Sequence, residues 1–362
     1  MQPIAVFLLA LSALAVRTEV LEQKYRDGSV KSRQEVKVLA DGTPLIHGKT
    51  TRLFRDGTTE SETTFVDGKR HGPWFVNYEN GKVKTKGTYK ADLKDGVERR
   101  YDRNGKLLME THYQFGLKHG QQTEWNGPEK KSREAGYFQG QLHGEERRWG
   151  PNGTLLGVVS YDRGQKHGPE KRFYGDGQKF LELNYDHGIK DGPFLEWYPD
   201  GKPRMEATYK KGTLVGPTAQ YFPSGLKQTE GEYRNGVQHG VSREWFDDKE
   251  HRLSVERHYD NGRPTGLQTL YHPNGEKRLE VAFKDGLREG LWTEWYEDGK
   301  VRAKGSYRKD QPDGELLFFH PTGAKWSVRN YLEGQRHGTW TDWDESGKVL
   351  EQTRYNKGLL LK

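Results

Sequence analysis

The sequence predicts an all-β repeat protein, an elongated array of tandem 24-residue antiparallel β-hairpins forming a long twisted single-layer ribbon. Three observations carry this prediction. A glycine recurs at Gly48, Gly72, Gly96, Gly120, Gly144, Gly168, Gly192, Gly216 and Gly240, every step being 24 residues; one step of 26 leads to Gly266, and the 24-residue beat resumes at Gly290, Gly314 and Gly338. An aromatic keeps the same beat at Phe65, Tyr89, Tyr113, Tyr137, Tyr161, Tyr185, Tyr209, Tyr233, Tyr259, Phe283, Tyr307, Tyr331 and Tyr355. The composition suits a thin sheet better than a globule: 31% hydrophobic and 31% charged residues with 45 glycines, yet 12% aromatics, more than a disordered chain carries. A fixed period of this length is the signature of units that bury their apolar face only by stacking on one another.

The chain begins with an apolar run from Ile4 to Val16, too short to span a bilayer comfortably but of the length of a signal-peptide core. Ala13-Leu14-Ala15 supplies a small-residue cleavage pattern, although Met1-Gln2-Pro3 carries no Lys or Arg. Residues 1–15 are therefore read as a signal peptide, which implies an exported protein, periplasmic, envelope-associated or secreted, and a cytoplasmic one if no cleavage occurs. Residues 16–64 read as degenerate N-terminal repeats, residues 65–358 as twelve full repeats, and residues 359–362 as a C-terminal tail.

Within a repeat, the recurrent glycine is counted as position zero. Position five is aromatic in most units: Tyr101, Trp125, Trp149, Phe173, Trp197, Tyr221, Trp245, Tyr271, Trp295, Phe319 and Trp343, with Leu53 and Asn77 departing from the rule. Position nine is usually glycine, in phrases such as Glu79-Asn80-Gly81 and Pro199-Asp200-Gly201, where Gly and Asn accept positive φ. Position seventeen is the Tyr/Phe marker and position twenty is usually glycine again. Two turns in each repeat leave segments of strand length.

Alternation then sets the faces. Position fourteen, with Glu62, Glu110, Glu134, Glu182, Glu206, Glu230 and Glu280, reads as outward, and thirteen, fifteen and seventeen as inward. Placing the position-five aromatic on that inward face puts it opposite position thirteen. It also requires an odd loop, a three-residue connection closing on a left-handed glycine at position nine. That register sets position four against fourteen, so that Arg52 opposes Glu62, Arg100 opposes Glu110, Arg172 opposes Glu182, and, against charge pairing, Glu124 opposes Glu134 and Glu196 opposes Glu206. Twelve hairpins at strand spacing make a sheet roughly 115 Å long, which strand twist should coil. The insertion near Phe246 to Arg252 and the turn Asn126-Gly127-Pro128 should distort it locally.

The chemistry-bearing residues fall under the same period. Seven histidines precede the recurrent glycine, His47, His71, His119, His143, His167, His239 and His337. Equivalent atoms in adjacent repeats lie about 9.6 Å apart, too far to share an ion that each ligand must approach to about 2 Å. They read as turn-packing residues, and no metal site is assigned. The Asp-Gly turns match no calcium-loop pattern. There is no cysteine, hence no disulfide or thiolate site. No catalytic residue and no cofactor are assigned, because the polar residues recur with the period and form no singular cluster. The net charge of +7 and isoelectric point near 9.1 come with interspersed acids and no basic block, which disfavours nucleic acid. The candidate contact stripe is the row Trp125, Trp149, Trp197, Trp245, Trp295 and Trp343, whose rings otherwise simply pack the sheet.

The unit Asp67-Gly68-Lys69-Arg70-His71-Gly72-Pro73-Trp74, then Tyr78-Glu79-Asn80-Gly81-Lys82, then Gly87-Thr88-Tyr89, resembles the bacterial variant of the MORN repeat, and Gly286 to Tyr307 resembles it equally. The likeness covers about residues 41–358. It implies β-hairpin ribbons and non-enzymatic roles; chains of this type include YwqK-type antitoxin-like proteins, and MORN arrays are associated with scaffolding and membrane contact. No functional residue carries over, since the shared motif is structural. The expectation is a protein-binding or scaffolding protein of a bacterial envelope or secreted space. The alternatives are an antitoxin or immunity protein masking a toxin, and a peripheral membrane module. Partner identity and oligomeric state are not specified by the sequence.

Overall fold

The computed structural model describes residues 17–361, so the segment read as a signal peptide lies outside the described residues. The chain divides into two units, Met1–Lys166 and His167–Lys362. Each is built of antiparallel strands paired with their neighbours in sequence, with no helix among the described residues. The fold class is thus the tandem β-hairpin array the period predicts. In the first unit, Arg17–Lys24 pairs with Val30–Val38 and Pro44–Leu53 with Thr59–Val66, so the degenerate N-terminal stretch is also hairpin-built. In the second, Leu359–Leu361, expected as a tail, adds a strand to Val349–Asn356.

Two kinds of turn alternate, and each explains a glycine. At the first, the Gly81 N–H donates to Tyr78 O at 2.9 Å and the Tyr78 N–H donates to Lys82 O at 2.8 Å, with Gly81 at φ +79. This is the expected three-residue loop closing on a left-handed glycine. At the second, positions nineteen and twenty both take positive φ, as in Asp67 (+49) and Gly68 (+81), the signature of a two-residue type I′ turn. The glycine N–H of that turn donates across to the neighbouring strand pair: Gly68 to Ile46 O at 2.8 Å, Gly212 to Lys190 O at 2.8 Å.

The register departs from the expected one, and a bulge is the reason. In the unit at Gly72, the pairs are Gly72 with Tyr89, Trp74 with Gly87, Phe75 with Lys86, Val76 with Thr85, and then Asn77 with Val83, so Lys84 is the extra residue. The same slip precedes position five in the units at Gly144, Gly168 and Gly192. Position three therefore faces fourteen, four faces thirteen, and five faces eleven. The expected pairs Arg52–Glu62, Arg100–Glu110 and Arg172–Glu182 are replaced by Thr51–Glu62, Arg99–Glu110 and Lys171–Glu182. The expected like-charge pairs Glu124–Glu134 and Glu196–Glu206 become Thr123–Glu134 and Leu195–Glu206. The odd loop was right; a second odd residue in the strand cancels its effect on the face of position five.

Position five thus lies with three, eleven and fourteen, and positions two, four, thirteen, fifteen and seventeen share the other face. That other face is the more buried one. Ala135, Leu183, Ala207 and Val281 at position fifteen and Phe194, Leu316 and Trp340 at position two are all buried. Volumes compensate along it. Trp74 and Trp292 at position two lie over Gly87 and Gly305, where an added Cβ would sit 3.1 Å from each indole nitrogen. In the second unit, Leu183, Phe194 and Ala207 form a cluster with Leu181, Tyr185, Met205, Tyr209 and Leu214 packed around it.

The 26-residue step is absorbed at a turn. The Phe246 N–H donates to Arg252 O at 2.9 Å and His251 takes positive φ (+50). The flanking strands keep the standard register from Gly240–Tyr259 to Trp245–Leu253, so the expected distortion is confined to the loop. At Asn126-Gly127-Pro128, Gly127 pairs with Lys130 and Glu129 takes φ +58, which tightens this turn while Gly120–Tyr137 and Glu124–Arg133 stay in register.

Candidate functional site

The six tryptophans of the predicted stripe are all half-buried at position five, on the face away from the buried line. Trp149, Trp197, Trp245 and Trp295 each meet the same pair of side chains from the preceding repeat. In the first unit Lys131 Nζ lies 6.0 Å from the centre of the Trp149 ring and bonds the Glu134 carboxylate at 3.0 Å. In the second, Lys179 stands over Trp197 at 5.4 Å and bonds Glu182 at 3.0 Å. Lys227 stands over Trp245 at 5.8 Å and bonds Glu230 at 2.8 Å. Lys277 stands over Trp295 at 6.0 Å and bonds Glu280 at 2.7 Å. Each lysine at position eleven therefore joins an aromatic of the next repeat to a glutamate of its own strand.

The ion pairs tune one another. The hydrogen bond to Glu230 raises Lys227 above its ordinary value, and the same bond, against burial, lowers Glu230. The hydrogen bond to Glu280 likewise raises Lys277, and that from Lys179 lowers Glu182. The face thus presents alternating lysines and glutamates beside flat rings. Between these rungs in the second unit, Pro193, Leu195, Pro217, Ala219, Tyr221 and Val241 line a shallow groove. Tyr221 there donates to Glu206 at 3.1 Å. Sequence reading missed the lysine, although Lys-x-x-Glu recurs as Lys131–Glu134, Lys179–Glu182, Lys227–Glu230 and Lys277–Glu280. Trp125 and Trp343 lie outside this lysine–glutamate set, since position eleven before Trp125 is Leu107 and position fourteen after Lys325 is Val328; Trp245 is also stacked on His251, with centroids 5.5 Å apart.

The opposite face carries a different ladder. A cation two residues before the recurrent glycine lies over the position-seventeen ring, as with Arg70 over Tyr89 at 4.3 Å, Lys190 over Tyr209 at 4.9 Å and Arg288 over Tyr307 at 4.1 Å. Where position two is acidic, ion pairs form there as well, and Lys94 both bonds Glu98 and lies over Tyr113 at 4.9 Å. Glu146, 3% exposed, receives Arg133 Nε at 2.6 Å and Arg148 Nη2 at 2.9 Å. Burial opposes its charge, but these hydrogen bonds outweigh it and hold the carboxyl below its usual range; burial and the same carboxylate push Tyr161 up. Glu98 meets Lys94 and Arg100, and Glu170 meets Arg172 at 2.6 Å.

Position six couples one repeat to the next. Tyr78 donates to Tyr101 O at 2.9 Å, and in the second unit Tyr174 donates to Trp197 O at 2.8 Å, Tyr198 to Tyr221 O at 2.7 Å and Tyr296 to Phe319 O at 2.8 Å. The residue before the recurrent glycine fastens the type I′ turn of its own repeat. The Lys211 N–H donates to Asp191 at 3.0 Å and the Lys309 N–H to Glu289 at 2.8 Å, while His47 pairs with Asp67 and His143 with Asp162, both at 3.2 Å. These histidines take the turn-packing place expected of them. One group of three metal-capable side chains converges among the described residues, His167, Asp186 and His187, of which His187 belongs to the turn and not to the histidine row.

An open-faced β-hairpin array, whose recurrent residues are turn staples and stacking rungs, belongs to the class of repeat binding modules. Seven segments, residues 70–91, 94–114, 142–163, 166–187, 190–211, 288–309 and 336–357, match the MORN repeat variant, so the chain carries MORN-variant repeats. Repeats of this family are generally protein- or membrane-binding modules and generally non-enzymatic. A comparison with curated proteins gave no match. Among solved structures, the chain is similar to those titled "Crystal Structure of TcdB2-TccC3" (13% identity, TM-score 0.17) and "Crystal Structure of TcdB2-TccC3-Cdc42" (13%, 0.18). The matches cover 94% of this chain and 21% and 20% of those chains, so it spans about a fifth of their length. Scores this low define no common architecture.

Proposed function

We propose that the chain is a non-enzymatic scaffold that binds a protein partner along its position-five face, and that it does so after export from a bacterial cell. The observation that carries the binding reading is the row of aromatic–lysine–glutamate rungs beside an apolar groove. Flat rings supply contact area at low entropic cost, and alternating charges set register along a partner. Export rests on the apolar run and Ala13-Leu14-Ala15.

The test compares wild type with Trp197→Ser and with Trp245→Ser as baits in the native host, with captured proteins quantified by mass spectrometry. A partner recovered by wild type and depleted at least about tenfold by either substitution supports the reading, since truncating an interface aromatic commonly removes over 1.4 kcal/mol. Equal recovery by all three baits refutes it. Export is tested by the N-terminal sequence of the product: a mature chain starting after Ala15 is expected, and an unprocessed cytoplasmic chain overturns that part.

A further inference from the structure

The −1 histidine and the residue at position eighteen meet in three repeats. His143 pairs with Asp162 at 3.2 Å, and, in the second unit, His167 with Asp186 and His239 with Asp260, each at 3.4 Å. The type I′ turn sets the residue at position nineteen beside this pair, with φ +45 at Arg163, +45 at His187 and +47 at Asn261. The three repeats share the framework and differ in the third residue. In the first it is a cation, in the third an amide, and only in the second an imidazole.

There the three groups converge. His187 Nδ1 lies 2.6 Å from Asp186 Oδ1, the two imidazole rings are 4.6 Å apart, and one ligand atom from each side chain falls within 4.8 Å of the others. A tetrahedral ion with nitrogen and oxygen ligands at about 2.0–2.2 Å needs them roughly 3.4 Å apart. All three side chains are exposed, so rotations of about an ångström close the difference without moving the backbone. Histidine rows in neighbouring repeats are too widely spaced to share an ion; a −1 histidine and a turn histidine of one repeat are not.

We infer that His167, Asp186 and His187 form a binding site for one divalent transition-metal ion of the zinc, nickel or cobalt type, with water completing its coordination. Two imidazoles and one carboxylate select such ions over calcium and magnesium, which want an all-oxygen shell. The site stands apart from the position-five face and does not depend on the function proposed for it. Its ligands belong to positions −1, eighteen and nineteen, so a bound ion would clamp the −1 residue to the turn more firmly than the hydrogen bonds used in other repeats.

The full chain, stripped of metal with chelator, is titrated with Zn²⁺ and separately with Co²⁺ at near-neutral pH, by calorimetry and by cobalt absorption. One ion per chain is expected, with a tetrahedral cobalt spectrum. His187→Arg installs the residue that the repeat at Gly144 already carries in this turn, so the fold is expected to be retained, which circular dichroism checks. Affinity should fall at least about tenfold in His187→Arg and in His167→Gln, and stay unchanged in His143→Gln. Equal binding by wild type and His187→Arg, equal losses in His143→Gln, or no stoichiometric binding by wild type would each overturn the inference.

Discussion

Replacing Glu146 by Gln tests how the array tolerates charge on its buried line. The carboxylate is 3% exposed and its Oε1 accepts from Arg133 Nε at 2.6 Å and from Arg148 Nε and Nη2 at 3.1 and 2.9 Å. Gln keeps the size and that acceptor oxygen, so the substitution removes charge and little else. Removing one partner of a buried ion pair typically costs about 3–5 kcal/mol, because the other charge is left unpaired. Here Arg133 retains Glu124 at 3.1 Å and Arg148 is largely in solvent, which lowers the expectation to about 2–3 kcal/mol. Repeat arrays open locally, so the readout is native-state hydrogen exchange of the strands Lys130–Phe138 and Gln141–Trp149. At neutral pH their protection should drop about 30- to 160-fold, while Ile189–Trp197 stays unchanged.

The pH dependence separates this account from a packing defect. Because the folded state holds Glu146 below its ordinary value of 4.5, the stabilisation is complete above that value. It is lost as pH falls through the folded value, where the wild-type carboxyl becomes neutral as the amide already is. The difference between wild type and Glu146→Gln should therefore close on acidification. Unchanged protection at neutral pH, or a deficit that persists undiminished well below pH 4.5, would refute the reasoning.

Further outcomes follow from the turns and the inter-repeat contacts. Gly136→Ala places a Cβ 2.2 Å from the His143 carbonyl oxygen, a backbone atom, and should destabilise those strands by about 3 kcal/mol; Gly144→Ala meets nothing within 4 Å but sits at φ +80 and should cost only about 1–2 kcal/mol, a ranking that exchange over residues 130–149 will show. Tyr198→Phe removes the 2.7 Å bond to Tyr221 O and should cost about 0.5–1.5 kcal/mol, read as faster exchange in Gly216–Tyr221 with Arg17–Lys24 unaffected.

The turns and the period were legible because glycine is chemically singular there: Gly81 and Gly68 sit at positive φ, and no other residue type repeats so strictly. Position fifteen was legible too, being small or apolar, as in Ala135 and Ala207. The most buried line, position two, was not. It holds Trp74, Glu98, Gln122, Glu146, Glu170 and Phe194 in successive repeats, and no hydropathy pattern unites them. What unites them is a neighbour able to satisfy each: a glycine under Trp74, arginines on Glu146, an alanine beside Phe194. Burial at that position is a property of the pair across strands, which a single strand's sequence does not display.

The bulge decides the functional reading, because it turns the position-five ring to the other face. Without it, the tryptophans would stand against thirteen and fifteen, and they would be core. With it, Trp197 stands against Lys179 and Glu182 and remains half-buried in a face where the intervening groove is unfilled. The slip recurs before position five in successive repeats, so within each unit of the chain the rings keep the same face. A bulge costs a ladder position and leaves one residue unpaired. Retaining it in unit after unit, while positions two and four vary freely, makes sense if the aromatic row must stay out of the buried line. Deleting the extra residue opposite Trp197, Arg204 between Pro203 and Met205, leaves Glu196 against Met205 and Trp197 against Pro203, so the ring should keep its face. Iodide should then quench its fluorescence as in wild type with an intact β-sheet spectrum, and a marked fall in the quenching constant would count against this register as the device that sets the face.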